Sequence, residues 1–168
     1  TFIDTSTLLP LEFNREVNEG GYLINQQYRF SHKDSIVATQ DSIFVIPANA
    51  QDMLSALFYA RTFKKENILD GEPFYIPIFM DDENYYLEIK YLQNEVLDTK
   101  FGKVNCMVFQ PRMQEGRVFE DGEEMKIWIT DDKNHLLVKV ETKIWAGTIK
   151  AVLDAYKELK YPLSIIEE

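Results

Sequence analysis

Tyr22-Leu23-Ile24-Asn25-Gln26-Gln27-Tyr28-Arg29-Phe30 decides the fold. Tyr22, Ile24, Gln26, Tyr28 and Phe30 fall on one face, and Leu23, Asn25, Gln27 and Arg29 on the other. A period of two is the mark of a half-buried strand. Leu9 to Val17 reads as its partner, and Glu19-Gly20-Gly21 as the hairpin turn between them. Pro10 stands near the start of that partner, where a missing N–H is tolerated.

The same texture continues in both directions. Ser35 to Ile46 alternates and stops at Pro47. Asp70-Gly71-Glu72-Pro73 is a turn, Phe74–Met80 a strand, and Asp81-Asp82-Glu83-Asn84 the next turn. Tyr85–Leu97 is a long strand, and Thr99-Lys100-Phe101-Gly102 turns it into Lys103–Gln110, where Val104, Cys106 and Val108 share a face. Pro111 to Gly122 is irregular. Glu124–Thr130 and Leu136–Lys143 pair across Asp131-Asp132-Lys133-Asn134. The tail, residues 148–160, fits a strand (Ile149, Ala151, Leu153, Ala155) and a helix (Ile149, Val152, Tyr156, Leu159); the hairpins before it favour a strand.

One helix interrupts the strands. Its spacing predicts Gln51 to Thr62, with Asn49 as N-cap and Asp52 near the positive end. Leu54, Leu57, Phe58 and Arg61 form its stripe. The prediction is a mainly β, single domain over 1–168: an open antiparallel β half-barrel or strongly curved meander sheet with one short α-helix packed on it.

Composition bounds the function. With 11 Phe, 9 Tyr and 2 Trp, the chain is rich in residues that suit strands. A net charge of -10 disfavours nucleic acid and anionic membrane surfaces, because both bind through Lys and Arg. The longest basic run is Lys64-Lys65. No apolar run approaches the ~20 residues of a transmembrane span. One cysteine, Cys106, allows no intrachain disulfide.

The stretches from Asp4 to Phe13, Asp52 to Arg61 and Ile127 to Asn134, with three shorter pieces, resemble a family of exported bacterial proteins known as domain of unknown function 3108. They are Asp4-Thr5-Ser6-Thr7-Leu8-Leu9-Pro10-Leu11-Glu12-Phe13, Glu19-Gly20-Gly21-Tyr22 and Asp52-Met53-Leu54-Ser55-Ala56-Leu57-Phe58-Tyr59-Ala60-Arg61. Phe101-Gly102-Lys103-Val104-Asn105-Cys106, Ile127-Trp128-Ile129-Thr130-Asp131-Asp132-Lys133-Asn134 and Ile144-Trp145-Ala146-Gly147-Thr148-Ile149 follow in order. The resemblance implies a periplasmic or outer-membrane-associated protein with an open half-barrel similar to lipocalin-like sheets. It transfers no catalytic residue. In the family, further strands precede the Asp-Thr-x-Thr-x-Leu-Pro stretch, so the expected domain lacks them here and shows a sheet edge that must be covered or paired.

Candidate chemistry is thin. The acidic groups Asp81-Asp82-Glu83, Asp121 with Glu123-Glu124, and Asp131-Asp132 supply carboxylates of the kind that cleave glycosides, yet each lies at a turn, where solvated acids are ordinary. Asp131-Asp132-Lys133-Asn134 lacks the Gly and Glu of a calcium loop. His32, His135 and Cys106 have no short ligand spacing for zinc, and Cys106 alternates with Val104 and Val108 like a core thiol. No metal and no cofactor is expected.

The ligand-binding candidates are Tyr28, Ser55, Tyr59, Arg61, Tyr91 and Trp128. Arg61 on an apolar stripe beside Ser55 and Tyr59 reads either as a head-group clamp or as an internally paired cation. The aromatics read either as core or as the lining of a cleft for an acyl chain or sugar rings. The favoured function is a non-enzymatic binding or scaffold module of the envelope that holds a lipid, glycan or peptide. The alternative is a carboxylate-dependent glycan hydrolase. A third reading is a subunit that completes its sheet with another chain's strand in place of the missing N-terminal ones. The expected partners are a lipid, a glycan or an envelope protein.

Overall fold

The computed structural model describes residues 1–63, 65–68, 72–112, 125–144 and 147–166. The chain is mainly β, with two antiparallel sheets and short helical segments. It divides into two compact units, Thr1–Phe63 with Tyr75–Tyr86, and Lys64–Phe74 with Leu87–Glu168.

The first sheet contains β1 (Phe2–Ile3), β2 (Pro10–Glu19), β3 (Tyr22–Ser31), β4 (Ile36–Ala38) and β5 (Ile43–Val45), in that spatial order. Glu19 pairs with Tyr22, which leaves Gly20 and Gly21 as a two-residue hairpin turn. Their φ values of 57° and 93° explain the residue choice, since only glycine enters that region at no steric cost. The predicted alternation holds: Tyr28 and Phe30 are buried, while Gln27 and Arg29 are exposed. Tyr28 stacks on Phe13 and meets Phe30 and Phe79 edge-on. Val37, Ile46 and Ala50 complete this core, with Phe44 packed against it. Each buried aromatic or large aliphatic side chain there is worth roughly 1.5–3 kcal/mol.

β6 (Phe74–Met80) has the predicted bounds. Asp81 and Asp82 turn it into β7 (Glu83–Thr99) with φ of 51° and 62°, a conformation Asp tolerates better than most residues. The turn is held by the Arg15 guanidinium and the Gln26 amide, which both donate to Asp81, while the Asp81 N–H donates to the Tyr28 hydroxyl.

The helix is shorter than its spacing predicts. α1 is Ser55–Ala60. Asn49 is left-handed at φ 59° and does not cap it. Gln51 forms a parallel bridge with Ile78 instead, donating its N–H to Pro77 and accepting from Phe79. The capping group is Asp52, whose Oδ1 accepts the N–H groups of Leu54 and Ser55, while Ser55 Oγ accepts the Asp52 N–H. This reciprocal bonding sets the helix phase with Ser55 and Ala56 inward. The predicted apolar stripe therefore faces outward: Leu54, Leu57 and Phe58 are exposed. A second helical turn, α2, spans Lys65–Ile68.

The second sheet runs β11 (Gly147–Val152), β10 (Leu137–Ile144), β9 (Met125–Thr130), β8 (Gly102–Arg112), β7 and β6, with β12 (Ile165–Ile166) paired to β8. The tail is a strand to Val152 only, and residues 153–164 carry no regular element. In the second unit Val104, Cys106, Val108, Trp128 and Val138 form a core, with Leu97 and Leu163 against it. The register of β7 on β8 shifts between Tyr91 and Gln93, so Leu92 is an unpaired bulge residue. Before it Tyr91 stands opposite Phe109; beyond it Glu95 and Leu97 stand opposite Cys106 and Val104. Neighbouring β8 residues alternate sides, so the odd-numbered residues of β7 change faces at Leu92.

Candidate functional site

The six ligand-binding candidates are divided between the two units. Tyr28, Ser55, Tyr59 and Arg61 belong to the first unit, Tyr91 and Trp128 to the second. Tyr28 is 1% exposed, wholly core, and burial pushes its phenol above the ordinary range. Ser55 is fully buried in the cap of α1. Tyr59 is half-buried and edge-on to Phe63. Arg61 is half-buried at the end of α1, where its N–H donates to the Phe58 carbonyl.

Trp128 is buried in the second core. Its indole N–H donates to Glu95 at 3.1 Å, and the Lys139 ammonium lies 4.0 Å from its ring centroid. Lys139 is paired with Glu141, which also meets Lys150. Those bonds to Lys139 hold the Glu141 carboxyl below its usual range. This is a packed, charge-balanced wall.

Tyr91 stands in a different setting. Its hydroxyl donates to Asn94 Oδ1 at 3.0 Å. Asn94 Nδ2 donates to Asp131 Oδ2 at 2.8 Å, and Asn105 Nδ2 reaches the same oxygen at 3.4 Å. Asn94 pairs with Met107 and Tyr91 with Phe109, so these residues and Asn105 share one face of the sheet. The Asp131 N–H donates to the Asn105 carbonyl, which ties the β9–β10 turn to β8. The result is a row of phenol, two amides and a carboxylate across three elements, fixed by its own hydrogen bonds. Asn94 is exposed, and the other three are partly so. Asn94 and Asn105 were not among the sequence candidates. Their signal is that Asn is depleted in strands, yet Asn94 stands in the middle of β7 and Asn105 within β8.

Asp81 and Asp132 of the acidic groups are anchored as acceptors at their turns. Asp81 takes Arg15 and Gln26. Burial pushes Asp132 up, but bonds from the Thr130 hydroxyl and the N–H groups of Asn134 and Ser164 hold its carboxyl below the usual range. Asp121, Glu123, Glu124, Asp70, Gly71 and Trp145, together with the irregular stretch beyond Arg112, lie outside the described residues. The candidate zinc set is not assembled. His32 Nε2 donates to the Pro10 carbonyl in the first unit, Cys106 is a buried free thiol of the second, and no group of three such ligands occurs among the described residues. Among the described residues no helix is long and apolar enough to cross a membrane.

The chain is thus a mainly β protein whose strands carry exposed hydrogen-bonding side chains. The family model described as a protein of unknown function (DUF3108) matches residues 1–154, and the chain belongs to that family. No curated protein and no solved structure matches it.

Proposed function

We propose that the chain is a non-enzymatic binding module of the bacterial envelope, and that its second unit holds a glycan on the Tyr91–Asn94–Asp131–Asn105 row. The observation that carries this reading is the geometry of that row. Sugar hydroxyls both donate and accept, so they suit a surface where amide N–H, amide oxygen and carboxylate alternate. A half-exposed phenol ring beside them offers an apolar face for sugar C–H groups. The mutual bonds fix the side chains before any ligand arrives, which lowers the ordering cost of binding. Acyl chains would gain little from such a row.

Hydrolysis by paired carboxylates is the second reading, and it draws less support. A glycosidase acid needs its pKa raised. Among the described residues the carboxyls with a displaced pKa, Asp4, Asp132 and Glu141, are all held low. The envelope placement rests on the family resemblance; alkaline phosphatase fused to the natural full-length gene product reports it, being active only outside the cytoplasm.

Calorimetric titration with cell-wall and lipopolysaccharide-core oligosaccharides tests the glycan reading. At least one is expected to bind, with Tyr91→Phe, which keeps the ring on Phe109, and Asn94→Ala each weakening it about tenfold while the melting temperature holds, the loss of one good contact. Binding that ignores both substitutions, or no binding at millimolar sugar, overturns it.

A further inference from the structure

β9 covers only part of one side of β8. It pairs with β8 from Phe109 back to Cys106, which faces Thr130, and then leaves in the β9–β10 turn. β7 runs along the other side of β8 as far as Gly102. The margin of Lys103 and Val104 that β9 leaves is filled by the chain's own C-terminal segment: Ile165 pairs with Val104 and Ile166 with Lys103. The body of the unit reads that segment mainly through its backbone. Asn134, only 6% exposed, donates Nδ2 to the Tyr161 carbonyl at 3.0 Å and to the Pro162 carbonyl at 3.4 Å, and its Oδ1 accepts the Tyr161 N–H at 3.1 Å. Asp132 Oδ2 accepts the Ser164 N–H at 3.2 Å. Two side chains add shape: Leu163 packs against the second core, and Ile165 sits over Gly102, where a Cβ would leave it no room.

The receiving groups are fixed without the segment. Asp132 Oδ1 accepts the Thr130 hydroxyl and the Asn134 N–H, so acceptor and amide are set within the turn itself. The segment, by contrast, is lightly held. Its strand is two residues long, Ile165 and Ile166 are exposed, and residues 153–164 form no regular element. The family match ends at residue 154, short of it.

Backbone bonds with pockets for alternate side chains are how a sheet edge receives a peptide. We propose that this margin of β8 is a strand-addition site for an extended, uncharged segment of a partner protein, and that residues 161–166 occupy it as a built-in competitor. The contacts define the partner's chemistry. It carries aliphatic side chains at i and i+2, in the places of Leu163 and Ile165, with a residue other than proline between them to supply the N–H that Ser164 donates. An acid at that middle position would lie against Asp132, and residues 161–166 carry no charge. A tethered segment competes at an effective concentration of roughly millimolar, so the partner must bind tightly or meet the segment detached. The proposal is independent of the glycan reading.

The probe is a capped, fluorescein-labelled peptide of residues 160–166, followed by anisotropy. Leu163→Asp with Ile165→Asp in the full chain empties the edge and leaves every receiving group in place. That variant is expected to bind the peptide with a Kd of about 10–100 µM, and the parent chain at least about tenfold more weakly, because its own segment competes. Asn134→Ala added to the variant should weaken binding about tenfold, and Ser164→Pro in the peptide should abolish it. Hydrogen exchange on the unaltered chain gives a second reading that needs no variant. A detachable segment exchanges its Ser164 amide at least about 100-fold faster than the Val108 amide inside β8. Absence of binding at about 1 mM peptide overturns the proposal, as does binding indifferent to Asn134→Ala or a Ser164 amide as slow as that of Val108.

Discussion

The Trp128 indole donates its N–H to the Glu95 carboxylate at 3.1 Å, bridging from β9 to β7 above the β8 residues Cys106 and Val108. The bond satisfies the one polar atom of the largest side chain in that core. Glu95→Leu should destabilise the chain by about 1–3 kcal/mol, because a desolvated donor is left without an acceptor. Glu95→Gln keeps a carbonyl oxygen in place and should cost less than about 1 kcal/mol. Urea unfolding followed by tryptophan fluorescence separates the two.

Cys106 lies beneath that bond with no exposed surface. Burial first, then the carboxylates of Glu95, Asp132 and Asp131, push its thiol up to about 11 from 9.0. The folded chain thus keeps a proton that the unfolded chain gives up. This stability is complete below pH 9 and is lost as pH rises toward 11, on the order of 2–3 kcal/mol. Cys106→Ala should flatten the alkaline limb of the pH–stability curve; Tyr28, whose phenol is also raised, acts on the same limb. Native Cys106 should resist a thiol reagent at pH 8 and react fully in denaturant.

Asp132 works in the opposite direction. Its carboxyl is lowered, so its stabilisation is present above the unfolded value of 3.8 and disappears as pH falls through the folded value. It ties Thr130, which is fully buried, to Asn134 and to Ser164 near the C-terminal end. Asp132→Ala should cost about 1–3 kcal/mol at pH 7 and weaken the acid dependence of unfolding. Hydrogen exchange should show the Ser164 amide exposed first.

Gly102 begins β8 at φ 119°, and a Cβ there would meet Ile165 Cγ2 at 2.7 Å. Gly102→Ala combines backbone strain with displacement of β12, and should destabilise by about 1–3 kcal/mol. Faster exchange at the Ile165 and Ile166 amides would show that β12 has left β8. Loss of stability with those amides still protected would place the whole cost in the turn.

The hairpins were legible because their turns are written in residue chemistry. Gly20-Gly21 and Asp81-Asp82 stand where positive φ is needed, and alternation fills in the strands between. The helix was overlong because Leu54, Leu57 and Phe58 have helical spacing, and spacing cannot show that Gln51 bonds to Pro77 and Phe79. Nor does it show which side of a short helix is inward; Asp52 and Ser55 settle that through hydrogen bonds. For the site, aromatic content marked Tyr28, Tyr91 and Trp128 alike, though two are core and one edges a polar row. Asn94 and Asn105 went unread because their meeting depends on the strand register.

The bulge at Leu92 makes β7 two half-strands in opposite phase. A uniform period of two through Tyr85–Leu97 is, in space, a message that inverts midway. Removing Leu92 alone would delete the bulge and keep the facing pairs, Tyr91 on Phe109 and Glu95 and Leu97 on Cys106 and Val104, because Leu92 is the residue that β8 does not pair. Adding two residues at the Lys100-Phe101 turn would leave that phase intact. Tolerance to length change along this strand is therefore a matter of place: the one residue that β8 leaves unpaired is the one whose loss turns no facing pair over.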